Sequence, residues 1–186
     1  WLCGSASAYG ASGRVFSIVE YGAAPGGGKL CTEAIQKAID ACSESGGGRV
    51  VVPAGTFLTG GIVLRDRVEL HLSEGAVLLG SPWMRDYAPH APRSRARYDR
   101  YLLTSLVFAQ GADGVAVSGK GTLNGNSKGE NDFISKDRVE KHRPCLIWFD
   151  ECTNVSVRDV TFTSSGFWTE TYTRCWNVHV NGITVK

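Results

Sequence analysis

The chain has 186 residues, of which 42% are hydrophobic and 20% charged, with 23 glycines and a net charge of +2. That length supports one domain with a core, the small net charge gives no sign of a nucleic-acid binder, and no apolar run approaches the roughly 18 residues that span a bilayer. Abundant glycine with modest charge suits a β-rich fold with many tight turns better than a helical bundle.

Residues 1–8 (WLCGSASA) look like the tail of a secretory signal, because Ala6-Ser7-Ala8 fits a small-x-small cleavage pattern with polar residues after it. They are read as a signal-peptide remnant whose charged start lies upstream, and residues 9–186 as the domain of a secreted or periplasmic protein. Alternation over Val15, Phe16, Ser17, Ile18 and Val19 predicts a first strand. A Gly/Pro-rich turn over 22–28 leads to a helix over 32–42. Thr32 is the expected N-cap and Glu33 favours the first turn. Ile35, Ala38, Ile39 and Cys42 share one face, and Gly46-Gly47-Gly48 ends the helix. One amphipathic helix ahead of many strands has the character of an end cap.

From Arg49 onward the pattern is of strands two to five residues long, separated by Gly, Pro, Asn and Asp corners: 50–52, 55–58, 62–64, 68–72, 75–79, 106–108, 115–117, 122–123 and 146–149. Two interruptions break it. The first, 84–101, carries Arg85, Arg93, Arg95, Arg97 and Arg100 and reads either as a cationic wall for an anionic substrate or as a solvated loop. The second, 126–141, mixes Lys, Glu and Asp. Near the end, Cys152-Thr-Asn-Val-Ser-Val-Arg-Asp-Val-Thr161 is echoed by Cys175-Trp-Asn-Val-His-Val-Asn-Gly-Ile-Thr184 at a constant offset of 23. A fixed period with alternating Val and a polar corner predicts a solenoid: an all-β, right-handed parallel β-helix with one N-terminal capping helix. A β-sandwich leaves the echo unexplained. Stacking also places Cys152 and Cys175 about 4.8 Å apart, close enough for a disulfide and equally suited to a ladder of reduced thiols.

Few residues offer chemistry. Gly114 to Gly121 imitates a phosphate loop but has no Ser or Thr after Lys120 and no helix behind it, so it reads as a coil corner. Asn154-Val155-Ser156 is a glycosylation sequon, although a corner Asn already accounts for it. The four histidines lack metal spacing, and no metal or cofactor is expected. His71 and His179 fall opposite the Val/Leu set and are expected to face solvent. Adjacent Asp150 and Glu151 point to opposite sides of a strand and suit a corner. In an extended 167–172, Trp168, Glu170 and Tyr172 share a face. Aromatic planes beside a carboxylate make these three the candidate substrate-binding residues, of the kind that packs against sugars.

Several stretches together resemble glycoside hydrolase family 28, the polygalacturonases. They are Glu20-Tyr-Gly-Ala23 with the helix, Gly46 to Gly60 with its Pro53-Ala-Gly55 turn, Leu70-His-Leu72 and Gly75 to Ser81. Gly119-Lys-Gly-Thr-Leu-Asn-Gly125, Arg143-Pro-Cys-Leu-Ile147 and Ser164-Ser-Gly-Phe-Trp-Thr169 complete the set. The resemblance implies a secreted pectinase acting on a pectic polysaccharide by inverting acid/base hydrolysis, monomeric when full length, with neither nucleic-acid nor membrane partners. The family's Asn-Thr-Asp, Asp-Asp, Gly-His-Gly and Arg-x-Lys motifs have no match here. They would follow the coil that ends at Lys186, so no catalytic residue is assigned and the chain alone is expected to be inactive. Ser164-Ser165-Gly166 stands where relatives often carry Asn-Ser-Pro, and Glu170-Thr171-Tyr172 replaces an Ile-His-Pro-like run. Two alternatives share the scaffold: a calcium-dependent pectate lyase-like enzyme, and a non-catalytic carbohydrate-binding or tailspike-like module.

Overall fold

The computed structural model describes residues 13–91, 104–128 and 143–186. The signal-like segment, four of the five arginines of the first interruption and nearly all of the second lie outside them.

The chain winds. After β1 (Val15–Ser17) and the helix α1 (Thr32–Glu44), one coil comprises β2 (Gly48–Val52), β3 (Gly55–Thr59) and β4 (Ile62–Val63). The next comprises β5 (Val68–Leu72), β6 (Ala76–Gly80) and β7 (Ser105–Gln110). Then come β8 (Ala116–Ser118), β9 (Thr122–Asn124) and β10 (Cys145–Asp150), followed by β11 (Thr153–Arg158), β12 (Thr161–Thr163) and β13 (Glu170–Thr173). Strands β14 (Trp176–Asn181) and β15 (Thr184–Val185) open a last turn. Each strand pairs in parallel with its counterpart one coil away. The result is three sheets: A (β1-β2-β5-β8-β11-β14), B (β3-β6-β9-β12-β15) and C (β4-β7-β10-β13).

The register is what the echo requires. Val155 pairs with Val178, Val157 with Val180 and Thr161 with Thr184. Strand alternation then sends one apolar set inward from every face. Val50, Leu70, Val117 and Val157 come from sheet A, Phe57, Leu78, Leu123 and Phe162 from sheet B, and Ile62, Val107, Ile147 and Phe149 from sheet C, all fully buried. Each such side chain contributes roughly 1.5–3 kcal/mol of burial. Helix α1 closes the first coil with Ile35, Ala38, Ile39 and Cys42. Thr32 does not cap it. Cys31 is the N-cap residue and offers no side-chain bond, while the Thr32 hydroxyl accepts the Gly60 amide at 2.7 Å and so ties the helix to a coil corner. Ile18 and Val19, expected to complete the first strand, instead open a 3₁₀ turn over Ile18–Tyr21.

The corners stack as well. Arg67 and Gly114 come ahead of the sheet A strands β5 and β8, and Asn154 and Asn177 are the second residues of β11 and β14, all four at positive φ. Gly119, Asp159 and Gly182 follow sheet A strands, as the corner readings of 114–121 and of Asp159 anticipated. Asn177 Nδ2 donates to Asn154 Oδ1 at 2.7 Å, and Asn154 Nδ2 donates to Asp113 Oδ1 at 2.8 Å. Only Asn, Asp and Gly reach this conformation cheaply. Asn154→Ala should therefore cost about 1–2 kcal/mol in urea unfolding, through the backbone region and the loss of both exposed side-chain hydrogen bonds. Asn154→Gly, which keeps the backbone, should recover about half; equal losses in the two variants would mean that the ladder contributes all of it.

Cys152 and Cys175 occupy successive rungs as free thiols. The bond to the Cys175 thiol, with burial, holds Cys152 protonated well above the ordinary thiol range. Among the described residues no helix is long and apolar enough to cross a membrane.

Candidate functional site

Sheet A passes to sheet B through short corners, and sheet C returns to sheet A through short corners. The long excursions all leave from one edge, between sheets B and C: 81–104 between β6 and β7, 125–144 between β9 and β10, and 164–169 between β12 and β13. In the coil β2–β4 the same corner is only Gly60-Gly61. A solenoid that gathers its insertions on one edge builds its binding surface there.

The described part of the first excursion is fastened down. Ser81 N donates to Thr59 O at 2.7 Å, Gly61 N to Asp86 O at 3.2 Å and Tyr87 Oη to Ser81 O at 2.8 Å, while the Ser81 hydroxyl also donates to the Asp86 carboxylate. The segment then crosses the outer face of sheet C. His90 stacks on Phe108 with centroids 3.8 Å apart and meets Trp148 edge-on at 6.0 Å. Its Nε2 lies 3.1 Å from Ser105 Oγ. Phe108, Cys145 and Trp148 thus form a small apolar cluster outside the coil, with Val63 and Phe167 against it.

Burial pushes the His90 imidazole down to about 4 from its ordinary 6.5. Its folded-state pKa is depressed, so the unfolded chain takes up this proton first. The contribution is present above pH 6.5 and is lost as pH falls from 6.5 through about 4. Urea midpoints measured across that window should slope less steeply in His90→Phe than in the parent; parallel slopes would show that His90 protonates freely in the fold.

The three candidate binding residues are separated. Glu170 and Tyr172 do share a face, but register aligns them with Ile147 and Phe149, which point into the coil. Tyr172 Oη donates to Glu170 Oε1 at 2.7 Å, and its ring meets Phe149 edge-on at 6.0 Å. Burial and the Glu170 carboxylate raise the Tyr172 pKa well above the ordinary phenol range. Trp168 instead stands at the insertion edge, 40% exposed, stacked on Phe167 at 5.2 Å. Arg143 lies over the other aromatic of that pair, 4.9 Å from the Phe167 centroid. On the same edge Arg85 lies over exposed Trp83 at 5.2 Å. Aromatic planes under guanidinium groups suit a sugar that carries an anionic group. Sequence reading noted Arg85 without its ring partner two residues before it, and took Arg143 only within the Arg-Pro stretch, because the Arg143–Phe167 pair forms across two excursions and has no local spacing.

The carboxylates at the other end of sheet C, toward sheet A, are engaged. Asp150 is fully buried and accepts from Gln110 Nε2 at 2.8 Å. Glu151 is the corner residue, at φ 53°, 3.6 Å from Arg174. Among the described residues no three His, Cys, Asp or Glu side chains converge as metal ligands would.

Winding, cap and one-sided insertions define the class: a right-handed parallel β-helix. The chain belongs to the family described as rhamnogalacturonase A/epimerase, pectate lyase-like, whose model matches residues 15–166. Its relatives bear out the resemblance to family 28 drawn from the sequence. It is 40% identical over 153 residues to an exo-poly-α-D-galacturonosidase of Dickeya chrysanthemi, covering 68% of this chain and 25% of that protein. The fold superposes on a hyperthermoactive exopolygalacturonase from Thermotoga maritima with a TM-score of 0.79, at 24% identity, over 93% of this chain and 47% of that one. A family 28 exopolygalacturonase of Yersinia enterocolitica gives a TM-score of 0.78, also at 24% identity, over 93% and 39%. The chain spans between a quarter and under half the length of the curated relatives it matches.

Proposed function

We propose that this chain forms the capped first coils of a secreted hydrolase that cleaves a galacturonan-type polysaccharide. The observation that carries the reading is the family match together with the gathering of every long excursion on the sheet B–C edge. Substrate runs along that edge. Trp168, 40% exposed, supplies a plane for a pyranose ring with Phe167 stacked behind it, and Arg143 and Arg85 attract its carboxylates. The Glu170–Tyr172 pair lies beneath, and its role is to fix the strand behind Trp168.

Hydrolysis with inversion needs two carboxyl groups facing each other about 6.5–9.5 Å apart, with water between them. The engaged Asp150, Glu151 and Glu170 offer no such pair, so the acid and base belong to coils of the whole enzyme other than those described.

The test is to give the 186-residue chain polygalacturonate. It should release no reducing ends yet bind the polymer, and Trp168→Ala should weaken binding about tenfold, one stacking anchor being worth roughly 1–2 kcal/mol. Turnover by this chain would overturn the placing of the acid and base. Equal binding of neutral galactan would overturn the pectic substrate.

A further inference from the structure

Sheet A carries, on its outer face, a polar construction that the edge site does not use. Its floor is Glu69, only 6% exposed although alternation puts it on the solvent side of β5. Register stacks it beside Arg49 of β2 and Ala116 of β8. The short Ala116 side chain leaves the gap that Arg158, two coils away, spans. Arg49 Nε donates to Glu69 Oε2 at 2.9 Å, and Arg158 Nη2 and Ser118 Oγ both donate to Oε1. Burial alone would raise the Glu69 pKa. The Ser118 and Arg49 bonds and the charges of Arg49 and Arg158 outweigh it, and the carboxylate stays ionised.

That arrangement decides the state of His71, which is half-buried and not simply solvent-facing. Ser118 has one proton and gives it to Glu69, so the 2.9 Å contact between Ser118 Oγ and His71 Nδ1 must be donated by the imidazole. Nε2 is left as an acceptor. Burial and the charge of Arg49 lower the His71 pKa and keep the ring neutral. These residues wall a groove of about 390 Å³ together with Glu74, Gly119, Lys120 and Asp159. At Gly119, φ is 100° and a Cβ would come 2.1 Å from the Leu72 carbonyl oxygen and 3.0 Å from His71 Cε1, so glycine lets this corner lie against β5 beside the His71 ring. Two guanidinium groups on one carboxylate leave one positive charge over. Among the described residues neither Nη of Arg49 has a partner, and exposed Lys120 adds a cation at the rim. Glu74 and Asp159 stand exposed at the same rim, so solvent and salt screen all three rim charges alike, and the surplus positive charge is that of Arg49 and Arg158 over Glu69.

We propose that this groove is a second sugar site, which takes a uronate residue: its carboxylate meets the Nη edge of Arg49 and the Lys120 ammonium, and a ring hydroxyl donates to His71 Nε2. The inference rests on the pectic reading above for its substrate class. Lying on sheet A rather than at the sheet B–C edge, the groove holds a neighbouring stretch of polymer and keeps the enzyme on its substrate.

The experiment is an NMR titration of the isotopically labelled 186-residue chain with a galacturonic acid trimer, following the His71 ring nitrogens and the Trp168 indole together. The trimer should move His71 Nε2, salt should weaken the effect, and Lys120→Ala should raise the apparent Kd at least fivefold, as should Arg49→Gln. Lys120 is exposed, so its variant folds whatever Arg49→Gln does. Trp168→Ala should leave the His71 response unchanged. If only the Trp168 signal moves, the second site is overturned and the edge site stands; if only His71 moves, the reverse holds; if neither moves, both fall. A neutral galactose trimer moving His71 as strongly would overturn the uronate assignment.

Discussion

Gly60→Ala should destabilise the fold by about 3 kcal/mol or more, among the largest single-methyl effects available in this chain. A Cβ at Gly60 would stand 1.8 Å from the Asp86 carbonyl oxygen and 2.7 Å from its carbonyl carbon. Nothing flexible is in the way that could swing aside, because the obstacle is backbone, and that backbone is held. Asp86 O accepts the Gly61 amide, and the Asp86 carboxylate takes the Ser81 hydroxyl. The corner of the coil β2–β4 has no excursion of its own so that the excursion of the next coil can lie on it. Inserting a methyl group must lift residues 81–87 or break the corner. For a chain of this size the loss corresponds to roughly 6–12 °C in Tm. Gly28→Ala is the control, since a Cβ there meets nothing within 4 Å, and it should fall within about 0.5 kcal/mol of the parent. If Gly60→Ala melts with the parent, the first excursion is not seated on this corner in solution.

The seat also shows what a sequence can and cannot convey. Gly60-Gly61 reads as a break in a strand pattern, and so it is, but the reason for two glycines lies some 25 residues onward. The winding itself was legible because a solenoid repeats its inputs. The 23-residue echo fixed the stacking of Val155 on Val178, and the Asn, Asp and Gly corners announced their left-handed backbone. The same offset, carried back from Glu170 and Tyr172 to Ile147 and Phe149, holds the signal that their shared face is the inward one. Alternation tells which residues share a side, and only the paired strand tells which side that is. Glu69 was beyond reach. Its alternation is that of an exposed residue, and the partners that bury it lie 20, 49 and 89 residues away. The helix was plain from its apolar face, whereas Thr32 departed from its expected role because Cys31 already takes the capping position and the Gly60 amide needs an acceptor.

Trp148→Ala should cost about 3–5 kcal/mol, the range for emptying a large aromatic site, and the damage should be local in a way that core truncations are not. Trp148 is 1% exposed, yet it lies outside the coil, on the face of sheet C that the first excursion crosses. Three parts of the edge meet on it. Phe108 packs edge-on at 5.3 Å, His90 brings the excursion, and Trp148 Nε1 donates to Thr173 Oγ1 of β13 at 3.1 Å. Removing the ring therefore loosens β13 and the segment around His90 together, while β2 and β5, whose side chains fill the interior, keep their neighbours. Amide exchange should accelerate over 87–91 and 170–173 and stay near the parent's rate over 48–52 and 68–72. Phe57→Ala, which empties the interior of the first coils, should instead accelerate exchange in β2 and β5. Trp148→Phe retains the plane and loses the bond to Thr173, so it should cost only about 1–2 kcal/mol. Uniform acceleration in Trp148→Ala would mean that the outer cluster and the coil interior open as one unit, and the edge site would then have no stability of its own to lose.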